Sequence, residues 1–144
     1  MGKEYHDIEQ LLKEGNTLRI KPQGYSMYPL FIPGRDEALL RQVPIDTLRR
    51  NDVVLYRRSQ GILVLHRIWN ITSEGFYMVG DNQSQLEGPL KPEQIHGMLV
   101  GFIRKGRQIS VKHPIYRLLS SLWLRMLPIR PACFRLTAFL RSLK

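Results

Sequence analysis

Apolar residues in this chain come in short runs. None exceeds about four or five residues before glycine, proline, asparagine or a charge interrupts it. A bilayer-spanning helix needs ~20 consecutive apolar residues, so no span is expected. The punctuation instead predicts a series of short strands. Thr17 to Lys21 alternates, and Ala38 to Val43 runs up to Pro44. Val53 to Tyr56 follows the turn-forming Asn51-Asp52, and Ile62 to Trp69 follows Gln60-Gly61. Phe76 to Val79 lies between Glu74-Gly75 and Gly80-Asp81-Asn82. Met98 to Arg104 and Gln108 to Lys112 flank Lys105-Gly106-Arg107, the pattern of a hairpin. Asp7 to Gly15 reads as a short helix with Asp7 as its N-cap. Short strands at this spacing predict a mainly-β barrel or sandwich carrying a short N-terminal helix.

The pattern changes at His113. Pro114 suits a first helical position, and Ile115 to Leu127 places Arg117, Ser121 and Arg125 on one face. Pro128 and Pro131 interrupt it, and Ala132 to Leu143 reads as a second amphipathic helix. Two units follow: residues 1–112 as the β domain and residues 113–144 as a basic helical hairpin. Charge divides the chain near the same place. All 12 acidic residues lie at or before Glu93, and the 22 Lys and Arg split into 12 up to Lys91 and 10 from Arg104 onward, so residues 94–144 carry the whole +10. A segregated charge block implies a task for its segment.

At 144 residues the chain suits one domain, which can bury roughly two-thirds of its unfolded surface without disulfides. Its one cysteine, Cys133, excludes a disulfide scaffold and a multi-cysteine zinc site, and reads as a packed apolar residue. Trp69 and Trp123 read as core or interface anchors. Met1 to Asp7 lacks the apolar core of a signal peptide, so the expected location is cytoplasmic or peripheral to a membrane.

Gly24-Tyr25-Ser26-Met27-Tyr28-Pro29 is the most unusual stretch. Gly24 lets the backbone turn and Pro29 fixes its exit, which sets Ser26 on a stiff loop. A serine hydroxyl becomes a nucleophile when a base takes its proton, and nearby amide N–H groups can then hold the oxyanion. The plainer reading is that Ser26 is a turn residue. His66 is the second candidate. Alternation puts Ile62, Val64, His66 and Ile68 on one face of a strand and Leu63, Leu65 and Arg67 on the other. Branched aliphatic neighbours desolvate the imidazole and favour its neutral form, the form a general base requires; a core histidine bonded to backbone is the plainer alternative. No two of His6, His66, His96 and His113 stand at metal-ligand spacing, so neither a metal nor another cofactor is expected. Asp81 in the Gly80-Asp81-Asn82 turn, or Glu87 six residues later, could orient a distant imidazole as the third member of a nucleophile–base–acid set.

In order along the chain, G-Y-S-M-Y-P, N-D-V-V-L-Y, V-L-H-R-I and G-D-N resemble the type I signal peptidases, and more broadly the serine peptidase fold that these share with LexA-type self-cleaving repressors. The resemblance covers about Gly24 to Lys112. It implies that Ser26 is the nucleophile and that His66, just before Arg67, is the base. The base is a lysine in most bacterial members and a histidine in the archaeal and endoplasmic-reticulum type. It also implies a functional Asp81. Three features depart from the pattern: Glu87 stands where the endoplasmic-reticulum type has a further Asp, Gly24 stands where signal peptidases often have a serine oxyanion donor, and the usual N-terminal transmembrane anchor is missing. The oxyanion would then rely on backbone N–H groups.

The resulting expectation is a serine endopeptidase with a Ser26–His66 dyad assisted by Asp81 or Glu87. It would bind a polypeptide with a leader or signal-like segment, extended against a strand edge. Its pH dependence would follow an imidazole with pKa around 6 to 7. A LexA-like self-cleaving regulator is one alternative, although residues 1–23 are too short for a DNA-binding domain. A non-catalytic basic module is another; Leu118, Leu119, Leu122 and Leu127 among the arginines argue against a nucleic acid partner. The hairpin either packs on the β domain, burying Leu119, Leu122, Trp123 and Leu140, or lies on an anionic membrane surface. Its single-sign charge favours the membrane.

Overall fold

The computed structural model describes residues 2–143, with side chains from Ile8 onward. The first helix, α1, covers Gly2–Lys13. It begins before the expected Asp7 start because Lys3 to His6 include no helix breaker, so Asp7 is an interior helical residue and not its N-cap. Gly15, with φ of +86°, ends the segment.

Eight strands follow: β1 (Leu18–Ile20), β2 (Asp36–Arg41), β3 (Val53–Arg57), β4 (Leu63–Thr72), β5 (Gly75–Val79), β6 (Glu87–Leu90), β7 (Ile95–Arg104) and β8 (Arg107–Ser110). They form one antiparallel sheet in the order β1-β2-β7-β3-β4-β5-β6, with β8 on β7. The long strand β7 pairs with β2 along one edge and with β3, then β8, along the other. The sheet is not closed, since β1 and β6 end its order without pairing to each other. The mainly-β expectation with a short N-terminal helix and C-terminal helices holds, but the sheet is open and not a closed barrel. Register shifts at Leu39/Leu40, Leu55/Tyr56, Ile68/Asn70 and Phe76/Met78 bend the ladder instead. Strand β6, which sequence reasoning passed over, contains Gly88-Pro89; an end strand tolerates a proline that a central strand would not.

Both faces of the sheet are buried, and β3 shows why. Its alternating side chains divide between two cores, Val53 and Leu55 to one and Val54 and Tyr56 to the other. The first core also holds Leu12 of α1 and Met27 and Phe31 of the loop after β1. The second collects Leu48, Ile68, Phe76, Met78, Leu90 and Ile95.

Helix α2 covers Pro114–Arg125 and α3 covers Arg130–Ser142, joined by a single 3-10 turn at Leu127–Ile129. The His113 ring accepts the Ile115 N–H and caps α2. Pro131 falls in the first turn of α3, where its missing N–H costs nothing, so that helix starts earlier than expected. Leu124 and Leu127 pack on Val79 of β5 beside Trp69. Leu119, Leu122 and Leu140 are not buried against the sheet as one reading expected; they are exposed. Cys133 is half-buried. No described helix is long and apolar enough to cross a membrane.

Candidate active site

The Ser26 loop is fastened at both ends. Gly24, with φ of +77°, makes a turn that a Cβ would strain. Met27, 4% exposed, drives into the first core and its sulfur lies 3.4 Å from the Asp81 N–H. The Asn82 N–H donates to the Ser26 carbonyl at 2.9 Å. At Gly80 a Cβ would stand 2.6 Å from that same carbonyl oxygen, so only glycine allows the turn to approach the serine so closely. The Gly80-Asp81-Asn82 turn is therefore the support on which Ser26 rests. Ser26 itself is half-buried.

His66 is 2% exposed on β4. Its Nδ1 lies 3.1 Å from the Tyr56 hydroxyl, whose own proton goes to Glu87 at 3.1 Å. Arg58 grips Glu87 with two bonds, at 2.8 and 2.7 Å. This chain fixes the tautomer. Burial, then the Glu87 charge, pushes the Tyr56 phenol pKa up, so Tyr56 keeps its single proton. The Arg58 hydrogen bond holds Glu87 below the usual carboxylate range despite partial burial, so Glu87 accepts and does not donate. With that proton spent on Glu87, the Tyr56 oxygen must accept from Nδ1–H. The lone pair of His66 is then on Nε2. That atom is buried and has no hydrogen-bond partner among the described residues. Burial pushes the imidazole down to about 4 against the opposing pull of Glu87, well below the 6 to 7 expected from sequence. At neutral pH it is an uncharged base.

Ser26 and His66 line one cavity of about 560 Å³, with no hydrogen bond between their side chains. The segment from Ile20 to Gly24 and Leu63 to His66 of β4 both contribute to its lining. Strand β5 covers its edge of β4 only from Arg67 to Thr72, so Leu63 to His66 pair with β3 on one side and have no strand partner on the other among the described residues.

Asp81 does not reach His66. It is 2% exposed and holds the neighbouring Arg67 through two bonds of 2.8 Å. Arg67 also donates to the Asn51 carbonyl at 2.9 Å and to the Tyr116 hydroxyl at 3.3 Å. Burial alone would weaken this cation, but the Asp81 carboxylate outweighs it and raises the guanidinium pKa. Of the two candidate acids, the structure brings Glu87 to the imidazole, through Tyr56, and commits Asp81 to an ion pair.

The C-terminal helices meet this second cluster. The Trp123 indole donates to the Asp81 carbonyl at 2.7 Å. Arg130 is fully buried and donates to the carbonyls of Gly80 at 3.1 Å, Gln83 at 2.9 Å and Trp123 at 3.0 Å. Sequence reasoning missed Tyr56, Arg58 and Arg130. Tyr56 had a signal: Val54 pairs with His66 and Tyr56 with Val64, which makes Tyr56 a diagonal neighbour of His66 on the same face. Arg130 had none, because a buried arginine without a carboxylate resembles any other cation of the basic block.

No protein-family model matches the chain, and no curated protein matches it in sequence.

Proposed function

We propose that the chain is a serine endopeptidase of the signal peptidase type, on a signal peptidase/LexA-like variant of the mainly-β fold, acting on polypeptides with a leader or signal-like segment. The observation that carries this reading is the buried, unpartnered Nε2 of His66, a residue that lines the same cavity as Ser26. Unsatisfied buried nitrogens are rare, and one held as a neutral acceptor on a residue that shares a cavity with a serine has a ready use.

The reaction follows from the atoms present. The Ser26 hydroxyl oxygen attacks the scissile carbonyl carbon while its proton passes to His66 Nε2. Ser26 and Met27 main-chain N–H groups, which have no acceptor among the described residues, receive the oxyanion. Nε2–H then protonates the leaving amine as the C–N bond breaks, leaving an acyl-serine. Water adds to that ester, again giving its proton to Nε2, and the acid product leaves with Ser26 restored. Through each cycle Tyr56 keeps the ring oriented, and Glu87 offsets the charge of the imidazolium. Catalytic contacts commonly tighten when substrate arrives, which fits a serine and a histidine that share a cavity before they share a hydrogen bond.

The edge of β4 without a strand partner supplies the binding mode. An extended peptide adds there as a strand, main chain to main chain, with alternate side chains directed at Ile20, Leu63 and Leu65. Co-expression with leader-bearing peptides, read by intact-mass spectrometry, tests the proposal: the wild type cleaves at one position and Ser26→Ala does not. Equal cleavage by both overturns it.

A further inference from the structure

Both C-terminal helices leave their apolar stripes largely exposed. Ile115, Leu118, Leu119 and Leu122 stand at i, i+3, i+4 and i+7 of α2, and each is between 47% and 62% exposed. Leu136, Phe139, Leu140 and Leu143 repeat the same spacing along α3 and its C-cap, at 52% to 68% exposed. A helix on a globular domain ordinarily buries such a stripe. Here α2 meets the body through Tyr116, Ser120, Trp123 and Leu124, and most of the stripe is left exposed. Exposed apolar surface of this extent marks a place of contact.

Charge identifies what makes the contact. No acid follows Glu93, and ten Lys or Arg follow it. Arg125, Arg135 and Arg141 are exposed on these helices, and none forms an ion pair among the described residues. A second copy of the chain would set this basic face against itself. An anionic lipid surface complements both parts, taking the stripes between its acyl chains and the arginines among its headgroups. A mostly apolar cavity of about 390 Å³ is lined by Ile115 and Leu119 of the stripe together with Pro29, Leu30 and Phe102, so part of the stripe borders further apolar surface.

We propose that α2 and α3 dock this protein on anionic membranes as a monotopic surface. Helices of 12 and 13 residues are ~18–20 Å long at 1.5 Å per residue, too short to cross ~30 Å of hydrocarbon but suited to lying in the interface. The docking goes beyond the peptidase reading and does not depend on it, since neither stripe contains a residue of the Ser26 cavity.

Flotation of the full chain with vesicles tests it. At low salt the protein rises with phosphatidylcholine vesicles containing phosphatidylglycerol and stays behind with phosphatidylcholine alone. Removing an arginine in Arg135→Gln or Arg141→Gln lowers partitioning about fivefold each. Leu118→Gln with Leu122→Gln abolishes flotation while the unfolding temperature holds, as their exposure requires. Ser26→Ala floats like the wild type, which separates a failure of docking from a failure of the peptidase reading. Equal partitioning to both vesicle types overturns the proposal. So do failure to float at low salt, and a stable dimer in solution that the leucine substitutions dissociate.

Discussion

His66 and Arg67 are neighbours in the chain, are both almost fully buried, and face opposite sides of one strand. Their surroundings differ in one respect. Around Arg67 a carboxylate, a carbonyl and a hydroxyl receive the guanidinium, and the cluster is closed. Around His66 one ring nitrogen is held by Tyr56 and the other is buried with no partner among the described residues, on a side chain that lines a cavity. Burial lowers the dielectric at both sites. At Arg67 it strengthens an ion pair, whereas at His66 it suppresses a charge and keeps a base neutral. Satisfied polar burial supports the structure; on the proposed reading, the one atom left unsatisfied is the one available for chemistry.

If that contrast holds, substitutions on the two sides must fail differently. Ser26→Ala and His66→Ala should each lower the cleavage rate by several orders of magnitude, with Ser26→Ala unfolding at the wild-type temperature. Arg67→Ala should do the reverse, costing about 3–5 kcal/mol in urea titrations because Asp81 is left buried and unpaired. Cleavage loss from Arg67→Ala at unchanged stability would dissolve the distinction.

Acid sharpens the comparison further. His66 titrates at about 4 when folded and near 6.5 when unfolded, so between those values the unfolded chain binds more protons. Stability therefore rises with pH through this window, by an amount on the order of 3 kcal/mol for His66. Cleavage should stay level from neutral pH down to about 5 and fall only as pH approaches 4. A rate profile that breaks between 6 and 7 would place the base elsewhere.

Tyr56→Phe keeps the ring packed but removes the acceptor for Nδ1–H; a roughly tenfold to hundredfold loss in kcat is expected, less than removal of the base. Its readout is the pH profile as well as the rate, since the tautomer is no longer fixed. Glu87→Gln should have the smallest effect. It removes the negative charge that raises the imidazole pKa, so the acid limb should move to still lower pH. A shift upward would mean that Glu87 acts on the ring in some other way.

Much of this arrangement was legible in the sequence, and the exceptions have physical causes. The period-two pattern of Ile62 to Trp69 correctly put His66 and Arg67 on opposite faces, because a strand permits nothing else. It could not say that Asp81 would go to Arg67 and Glu87 to the histidine side, since that depends on how β5 and β6 lie across β4. Glu87 was a candidate on spacing alone, while Tyr56, which connects it to the ring, lay in a run that read only as a strand. The helices of the hairpin were visible as helices, but not the direction of their stripes. Amphipathic periodicity predicts which side is apolar and is silent on what covers it.

The turn at residues 80–83 is held from two directions. Asn82 gives its N–H to Ser26, while the carbonyls of Gly80, Asp81 and Gln83 receive Arg130 and Trp123. Thermodynamic linkage makes such a shared element reciprocal. Whatever free energy the seating of α3 contributes to ordering the serine loop, an occupant that orders the loop returns to the seating of α3. Amide exchange at Asn82 should therefore slow when the C-terminal helices are immobilised, and exchange along the first turn of α3 should slow when the cavity beside Ser26 is filled, by equal free energies.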